Sequence, residues 1–407
     1  MTNRETRHRE LAEHYLPDAL LARMRERAAG YDRENRFFWE DLDDLRGRGY
    51  LTLFVPEEFG GPGLTLNQVS RLQQRLASAA PATALAVNMH LMCTGVVAAM
   101  FARGDRSLGY VFEEAMAGEI FAFGISEPAN DWVLYGSHTV AEPQADGGYL
   151  LSGVKIFTSL SPVWTRLIVH GLDESDPDDP RVMFGFVERS HEDAAADGGP
   201  GITVSDRWDV LGMRASHSRA TVLDRASVRP ERVARRVPAG RTPDLLTFAI
   251  MGNFQLLIGS VYAGIARRAL EVGANALRGR RSAQRGTSYA EVPESRIRLA
   301  DAHLEFTAVP AQLDATTRDF DELEDLGAAW PLRFVSARLN AVTAARRCAE
   351  SALLCSGGAG FSNDHEVSRL LRDATAGLFH PPSMDAARPM YAAALLDIDE
   401  EATADSA

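Results

Sequence analysis

The sequence predicts an α+β protein in which helices, strands and a second set of helices follow one another as consecutive segments. Three observations carry this expectation. Apolar residues over the first ~110 positions recur at helical spacing, as Leu11, Leu20, Leu21, Met24 and Ala28 do. Between Phe121 and Val228 the chain breaks into short runs rich in β-branched and aromatic residues. After Pro238 long apolar stretches return, beginning with Leu245 to Leu277. The domains expected are residues 1–118, 119–232 and 233–407.

In the first segment, a helix is expected over Glu34 to Arg48 and is stopped by Gly49. A loop dense in glycine and proline runs from Gly49 to Leu64, and further helices cover Leu66 to Ala80 and Ala82 to Ala102. In the middle segment, Tyr149–Phe157, Arg166–Gly171 and Arg181–Val187 read as strands, with Gly147-Gly148 as a hairpin turn. Thr221–Asp224 reads as the last strand. Asp173–Asp179 and Glu192–Pro200 are acidic and turn-rich, and so are expected as surface loops. The final segment is expected to hold helices over Glu294–Arg318, Leu326–Cys355 and Asp364–Ala376, with a frayed acidic tail from Asp397.

Bulk properties narrow the function. The 407 residues are 45% hydrophobic, with 56 acidic against 43 basic side chains and a net charge of -13. That charge opposes binding to nucleic acid or anionic lipid. No signal peptide and no membrane span are expected, so the protein is placed in the cytoplasm. Cys93, Cys348 and Cys355 are too few and too widely spaced for a disulfide framework or a metal pair, and read as buried thiols. No GxGxxG, Walker A or HExxH motif is present, which argues against a Rossmann site, a P-loop and a zinc site.

Six segments in order resemble the acyl-CoA dehydrogenase family. They are Gly49–Leu64 (GYLTLFVPEEFGGPGL), Phe123–Ala129 (FGISEPA), Leu151–Ser159 (LSGVKIFTS), Leu211–Ser218 (LGMRASHS), Ser356–Phe361 (SGGAGF) and Leu370–Ala374 (LLRDA). The resemblance implies an N-terminal helical domain, a middle β-barrel or sandwich and a C-terminal four-helix bundle. It also implies bound FAD and a homo-oligomer. Phe123, Ile125, Ser126, Thr158 and Ser159 then lie at the flavin, the serines supplying hydroxyls that stabilise the reduced ring. Phe157 either covers the ring face or fills the sheet core. Gly357, Gly358 and Gly360 can approach a phosphate or ribose of a neighbouring subunit's FAD, or simply turn between helices. Leu354 stands where the family has a glutamine. Arg280 and Arg281 either neutralise the FAD pyrophosphate or form a solvated patch. Asn88, Met92, Phe254 and Leu257, together with Met89 and His90, are candidates for the substrate pocket.

One expected residue is missing. The family removes a substrate α-proton with a glutamate shortly after its RDA motif. Ungapped alignment through Asp373 places Pro381 at that glutamate, with His380 beside it. His380 is the candidate substitute base, because imidazole titrates near neutrality. Its alternative is an ordinary loop histidine, and Glu127, Asp131 and Asp244 are weaker candidates. Three functions follow. The expectation adopted is α,β-dehydrogenation of an acyl thioester carried on CoA or a carrier protein, with a flavoprotein or O2 as electron acceptor. The second is a flavin monooxygenase or N-hydroxylase using O2, and the third a binding protein without turnover.

Overall fold

The computed structural model describes residues 3–240 and 242–396. The expected frayed tail lies outside them. Six helices come first: α1 (Asn3–Tyr15), α2 (Asp18–Glu34), α3 (Trp39–Gly47), α4 (Leu66–Ala77), α5 (Pro81–Ala102) and α6 (Tyr110–Met116). The strand segment holds β1 (Phe121–Gly124), β2 (Val140–Pro143), β3 (Tyr149–Thr158), β4 (Arg166–Asp173) and β5 (Arg181–Glu188), then a short helix α7 (His191–Ala195). Strands β6 (Gly198–Gly199), β7 (Ile202–Val204), β8 (Arg219–Val228) and β9 (Val233–Pro238) complete it. Helices α8 (Leu245–Gly279), α9 (Pro293–Asp321), α10 (Ala329–Ser356), α11 (Glu366–Thr375) and α12 (Met384–Leu396) follow.

Local chemistry sets most boundaries. Thr65 caps α4 through a reciprocal box with Gln68, and Pro81 opens α5, where a missing N–H does no harm. Asp244 caps α8 by accepting from Leu246 N and Thr247 N, so it serves as a helix cap and not as a base. The expected helix over Glu34–Arg48 is divided. Asn35 adopts φ 52° and ends α2, and α3 begins only at Trp39. Two further expectations are corrected. The 192–200 loop contains α7, nucleated by a capping box between Ser190 and Asp193. The last strand is β9, not β8; its arginines interrupt the apolar pattern, and it pairs with β5 at a sheet edge.

The strands form one sheet in the order β6-β7-β8-β3-β2-β4-β5-β9, with β1 alongside β4 in parallel. The helical core centres on α8 packed against α10, with α4, α5 and α9 around them. Gly264 of α8 permits the close approach of α4, because a Cβ there would lie 2.4 Å from the Gln74 carbonyl oxygen. Helix α5 has no Asp, Glu, Lys or Arg in its 22 residues, so the expectation that no stretch reaches the ~18 uncharged residues of a membrane span is corrected by length and composition. In the fold, 89% of its apolar window is buried inside the protein, and for α8 the figure is 78%; both are core helices.

A buried ion pair ties the sheet together at its centre. Lys155 Nζ on β3 lies 2.6 Å from Glu127 Oε1, and both side chains are shielded from solvent. Glu127 also accepts from Ser137, Thr139 and the backbone N–H of His138. Lys155 further donates to the ring and carbonyl of His170. Burial would raise the Glu127 pKa, but the ammonium and these donors hold it well below the usual carboxylate range. Glu127 is therefore a structural anion. Replacing Lys155 by Met should destabilise the fold by roughly 3–5 kcal/mol in urea titrations, the usual result of leaving one buried charge unpaired. A loss under about 1 kcal/mol would contradict this account.

Candidate active site

The end of β1 meets β3 next to that ion pair. Ile156 N–H donates to the Ser126 carbonyl at 2.8 Å. One residue on, the register between β3 and β8 slips, and Phe157 takes φ 56°. A positive φ is uncommon for a bulky residue, and here it turns the ring out of the sheet to 52% exposure. Phe157 then borders a cavity of about 330 Å³. Phe157 is thus a cavity aromatic and not a sheet-core one.

The cavity lies between the sheet and the helices. Its sheet side carries Phe123, Ser126, Phe157 and Ser159, and the loop from Trp208 to Ser218 closes one end. Its helix side carries Leu85 and Met89 of α5, Phe254 of α8, and the segment Thr375–Pro381. Phe123 and Phe254 face each other at 5.8 Å between ring centroids. Ser159, Ser218 and Ser216 form a hydroxyl chain, with Oγ–Oγ distances of 2.7 and 2.8 Å. A flat aromatic heterocycle with polar edge atoms suits this lining, with aromatic rings for its faces and hydroxyls for its edge. The residues present fit a flavin ring.

The loop closing the cavity is held by α11. A Cβ on Gly212 would lie 2.2 Å from the Arg372 carbonyl oxygen, so only glycine allows the approach. Met213 N–H donates to Asp373 Oδ1 at 2.6 Å. Burial raises the pKa of Asp373 to about 6, and this donor together with Arg369 opposes the rise.

His380 and Pro381 both border the cavity. Tyr262 O–H lies 2.8 Å from His380 Nε2, and Phe254 packs edge-on to the same imidazole. Desolvation and the nearby Arg338 guanidinium push the His380 pKa down to about 3. Burial raises that of Tyr262, so the phenol keeps its proton and donates to a neutral ring. A base with so low a pKa does not hold a proton near neutrality. Among the described residues, Arg372 is the only other ionisable side chain lining the cavity, and no carboxylate does.

The remaining candidates are placed as follows. Ile125 and Thr158 are buried behind the wall, and the Thr158 hydroxyl is without a partner. Asn88, Met92 and Leu257 lie in the core off this cavity. Leu85 and Met89 share one face of α5, while Asn88 is turned toward Gln73, whose Nε2 donates to it at 2.8 Å. His90 joins the Leu51 carbonyl and the Phe121 N–H, and burial lowers its pKa to about 4. Asp131 is on an exposed loop. Arg280 donates to the Cys355 carbonyl and covers the Tyr289 ring, next to Gly357. Arg281 bonds the Gly286 carbonyl. Within one chain neither arginine, nor Gly357, Gly358 or Gly360, borders the cavity. Sequence reasoning missed Ser216, Ser218 and Trp208. Two of these lay inside the quoted LGMRASHS segment, where closely spaced hydroxyls were the available signal.

Residues 7–124 match the acyl-CoA dehydrogenase N-terminal domain and residues 256–382 the acyl-CoA dehydrogenase C-terminal domain. The chain belongs to the acyl-CoA dehydrogenase family, a family of flavin-dependent oxidoreductases that uses FAD. Within it, the chain is 31% identical over 369 residues to an L-evernosamine nitrososynthase of a Micromonospora species, covering 89% of this chain and 84% of that protein. It is 31% identical over 384 residues to the amino sugar nitrososynthase DnmZ of Streptomyces peucetius, covering 92% and 88%. The solved structure of KijD3 in complex with FMN and dTDP-3-amino-2,3,6-trideoxy-4-keto-3-methyl-D-glucose superposes with a TM-score of 0.81 at 28% identity, over 97% of this chain and 94% of that one.

Two outcomes follow from the geometry. Gly212→Ala should force the loop off α11 and cost about 1–3 kcal/mol of stability together with flavin retention, read by thermal melts and bound-flavin absorbance. Wild-type behaviour in both would remove the close approach from the account. The second concerns acid. His90, His170 and His380 have folded pKa values lowered to about 4, 3 and 3. The unfolded chain therefore binds more protons below about pH 6.5, and stability falls as pH drops from there. His380→Gln should make that fall shallower by about 1.4 kcal/mol per pH unit between pH 4 and 6. An unchanged slope in urea titrations would show that His380 titrates normally.

Proposed function

We propose that this chain catalyses flavin-dependent N-oxygenation of the amino group of a nucleotide-linked amino sugar, with O2 as co-substrate. The observation that carries this reading is a cavity of about 330 Å³ lined by aromatic rings and hydroxyls with, among the described residues, no carboxylate. Its only candidate base, His380, is neutral and a poor proton acceptor. The acyl-thioester dehydrogenation expected first needs a base for the α-proton, and the cavity offers none. An amine brings its own lone pair and needs no such base. The names of the two nitrososynthase relatives, and the amino sugar in the KijD3 complex, favour this substrate class.

In this reading Ser126 and the Ser159–Ser218 chain would hold the flavin's polar edge, and Phe157 would lie against the ring. Phe254 and Phe123 exclude water on the opposite wall, and His380, fixed by Tyr262, orients the amine. Reduced flavin, delivered by a reductase, supplies two electrons per turnover for the activation of O2. In the first turnover R–NH2, O2 and two hydrogens give R–NHOH and H2O. In a second, R–NHOH, O2 and two hydrogens give R–N=O and two H2O. The exposed Phe361 and Leu354 flank the Gly357–Gly360 loop, and a second copy of the chain is proposed to cover this edge.

The test supplies purified protein with a flavin reductase, isotopically heavy O2 and a panel of dTDP-amino sugars, and follows products by mass spectrometry. Heavy oxygen on nitrogen, dependent on both reductase and O2, is expected. Consumption of reduced flavin with no oxygenated amine from any sugar would refute the proposal.

A further inference from the structure

A second hollow of about 570 Å³ adjoins the flavin cavity and shares Val210, Leu211 and Arg372 with it. It is a polar cleft between the C-terminal end of α2, the loop around Arg214, and the N-terminal half of α11. Four guanidinium groups border it: Arg33, Arg214, Arg369 and Arg372.

Three of these have carboxylate partners, although Arg372 Nε is also left unmet among the described residues. Arg372 is paired with Asp32, with Nη1–Oδ1 at 2.9 Å. Arg214 binds the Asp32 and Val210 carbonyls and the Asp209 carboxylate. Arg33 reaches Asp364 at 3.6 Å across solvent. Arg369 differs. It is 5% exposed, and among the described residues its Nε and Nη1 have no hydrogen-bond partner. Its nearest carboxylate, Glu366, is 3.8 Å away and already takes both arms of Arg268 at 2.8 and 2.7 Å. Arg25 lies in the field of the same carboxylate. Asp373, the other acid near Arg369, is engaged with Met213 N. A buried guanidinium with two unmet donors is costly, and a bound anion relieves that cost. The N-terminus of α11 opens onto the same cleft and adds its positive dipole end.

We infer that this cleft is a binding site for a phosphate or diphosphate ester, with Arg369 as its principal cation and Arg33 at its mouth. Leu211, exposed at the border of both hollows, leaves room for a ligand held in the cleft by its diphosphate to reach over the seam toward the flavin cavity with its reacting or redox end. That diphosphate comes either from a nucleotide sugar or from the flavin. Only its assignment to a nucleotide sugar rests on the function proposed above.

The experiment uses the full-length, flavin-free protein and calorimetric titration with four probes: inorganic pyrophosphate, dTDP, FMN and riboflavin. Arg369→Gln and Arg33→Glu are compared with wild type, and circular dichroism confirms folding. Arg33 is a solvent-exposed side chain, so Arg33→Glu keeps the question open to test even where Arg369→Gln fails to fold. Loss of charge-assisted hydrogen bonds should weaken the affected probes by about tenfold or more. Weakened pyrophosphate and dTDP, with FMN and riboflavin binding alike throughout, assign the cleft to the substrate's diphosphate. A wild-type preference for FMN over riboflavin that both variants abolish assigns it to the flavin's phosphate. Either result supports the inference. Absence of binding by the phosphate-bearing probes, or affinities unchanged in every folded variant, overturns it. Intact dTDP binding without amine oxygenation would leave the site standing and refute the proposed reaction.

Discussion

The seam between the loop at Gly212–Met213 and helix α11 is the constraint on which the rest of the site depends. Backbone approaches backbone there so closely that no side chain fits at Gly212. The carboxylate that secures it, Asp373, is held in a place that burial makes unfavourable for charge. Arg372, its neighbour in sequence, carries the seam outward to Asp32 on α2. One short stretch of α11 thereby fastens the first helices, the loop before β8 and the last helices to one another. The flavin cavity lies on one side of the seam and the arginine cleft on the other. A change in its geometry would be felt in both.

Most of this architecture was legible in the sequence because it follows from local rules. The α5, α8 and α9 runs, the 149–157 strand and the Gly147 hairpin all announce themselves through periodicity and turn chemistry. The motif order located the walls of the cavity, including Ser126, Phe157 and Ser159. What stayed hidden depends on rotation and on long-range packing. Helix α5 is apolar on every face, so nothing in its pattern separates Met89, which borders the cavity, from Met92, which does not. The edge strand β9 carries a polar, arginine-rich pattern that is meaningful only once β5 is beside it. The charge state of His380 depends on its burial and on Arg338, about 40 residues upstream, and its hydrogen bond on Tyr262, more than 100 residues upstream; no local reading brings these groups together.

What the cavity can do with a proton limits its chemistry. A dehydrogenase must remove a poorly acidic α-hydrogen, which demands a carboxylate or a comparable base in contact with the substrate. The ungapped alignment puts Pro381 at the family's glutamate, while in the structure Glu127 is committed to Lys155 and Asp244 caps a helix. The imidazole that remains is desolvated and faces a guanidinium. The family fold is retained, while among the described residues no carboxylate lines the cavity to take such a proton. Chemistry that draws its nucleophile from the substrate itself is compatible with what is left.

The most direct measurement is an anaerobic titration of the flavin-loaded protein with a panel of acyl-CoA thioesters, following bleaching of the oxidised flavin. The account predicts that the absorbance stays unchanged with every thioester, because no group in the cavity can take the α-proton. Bleaching by any of them, with the matching enoyl thioester formed, would contradict it and return the protein to the dehydrogenases.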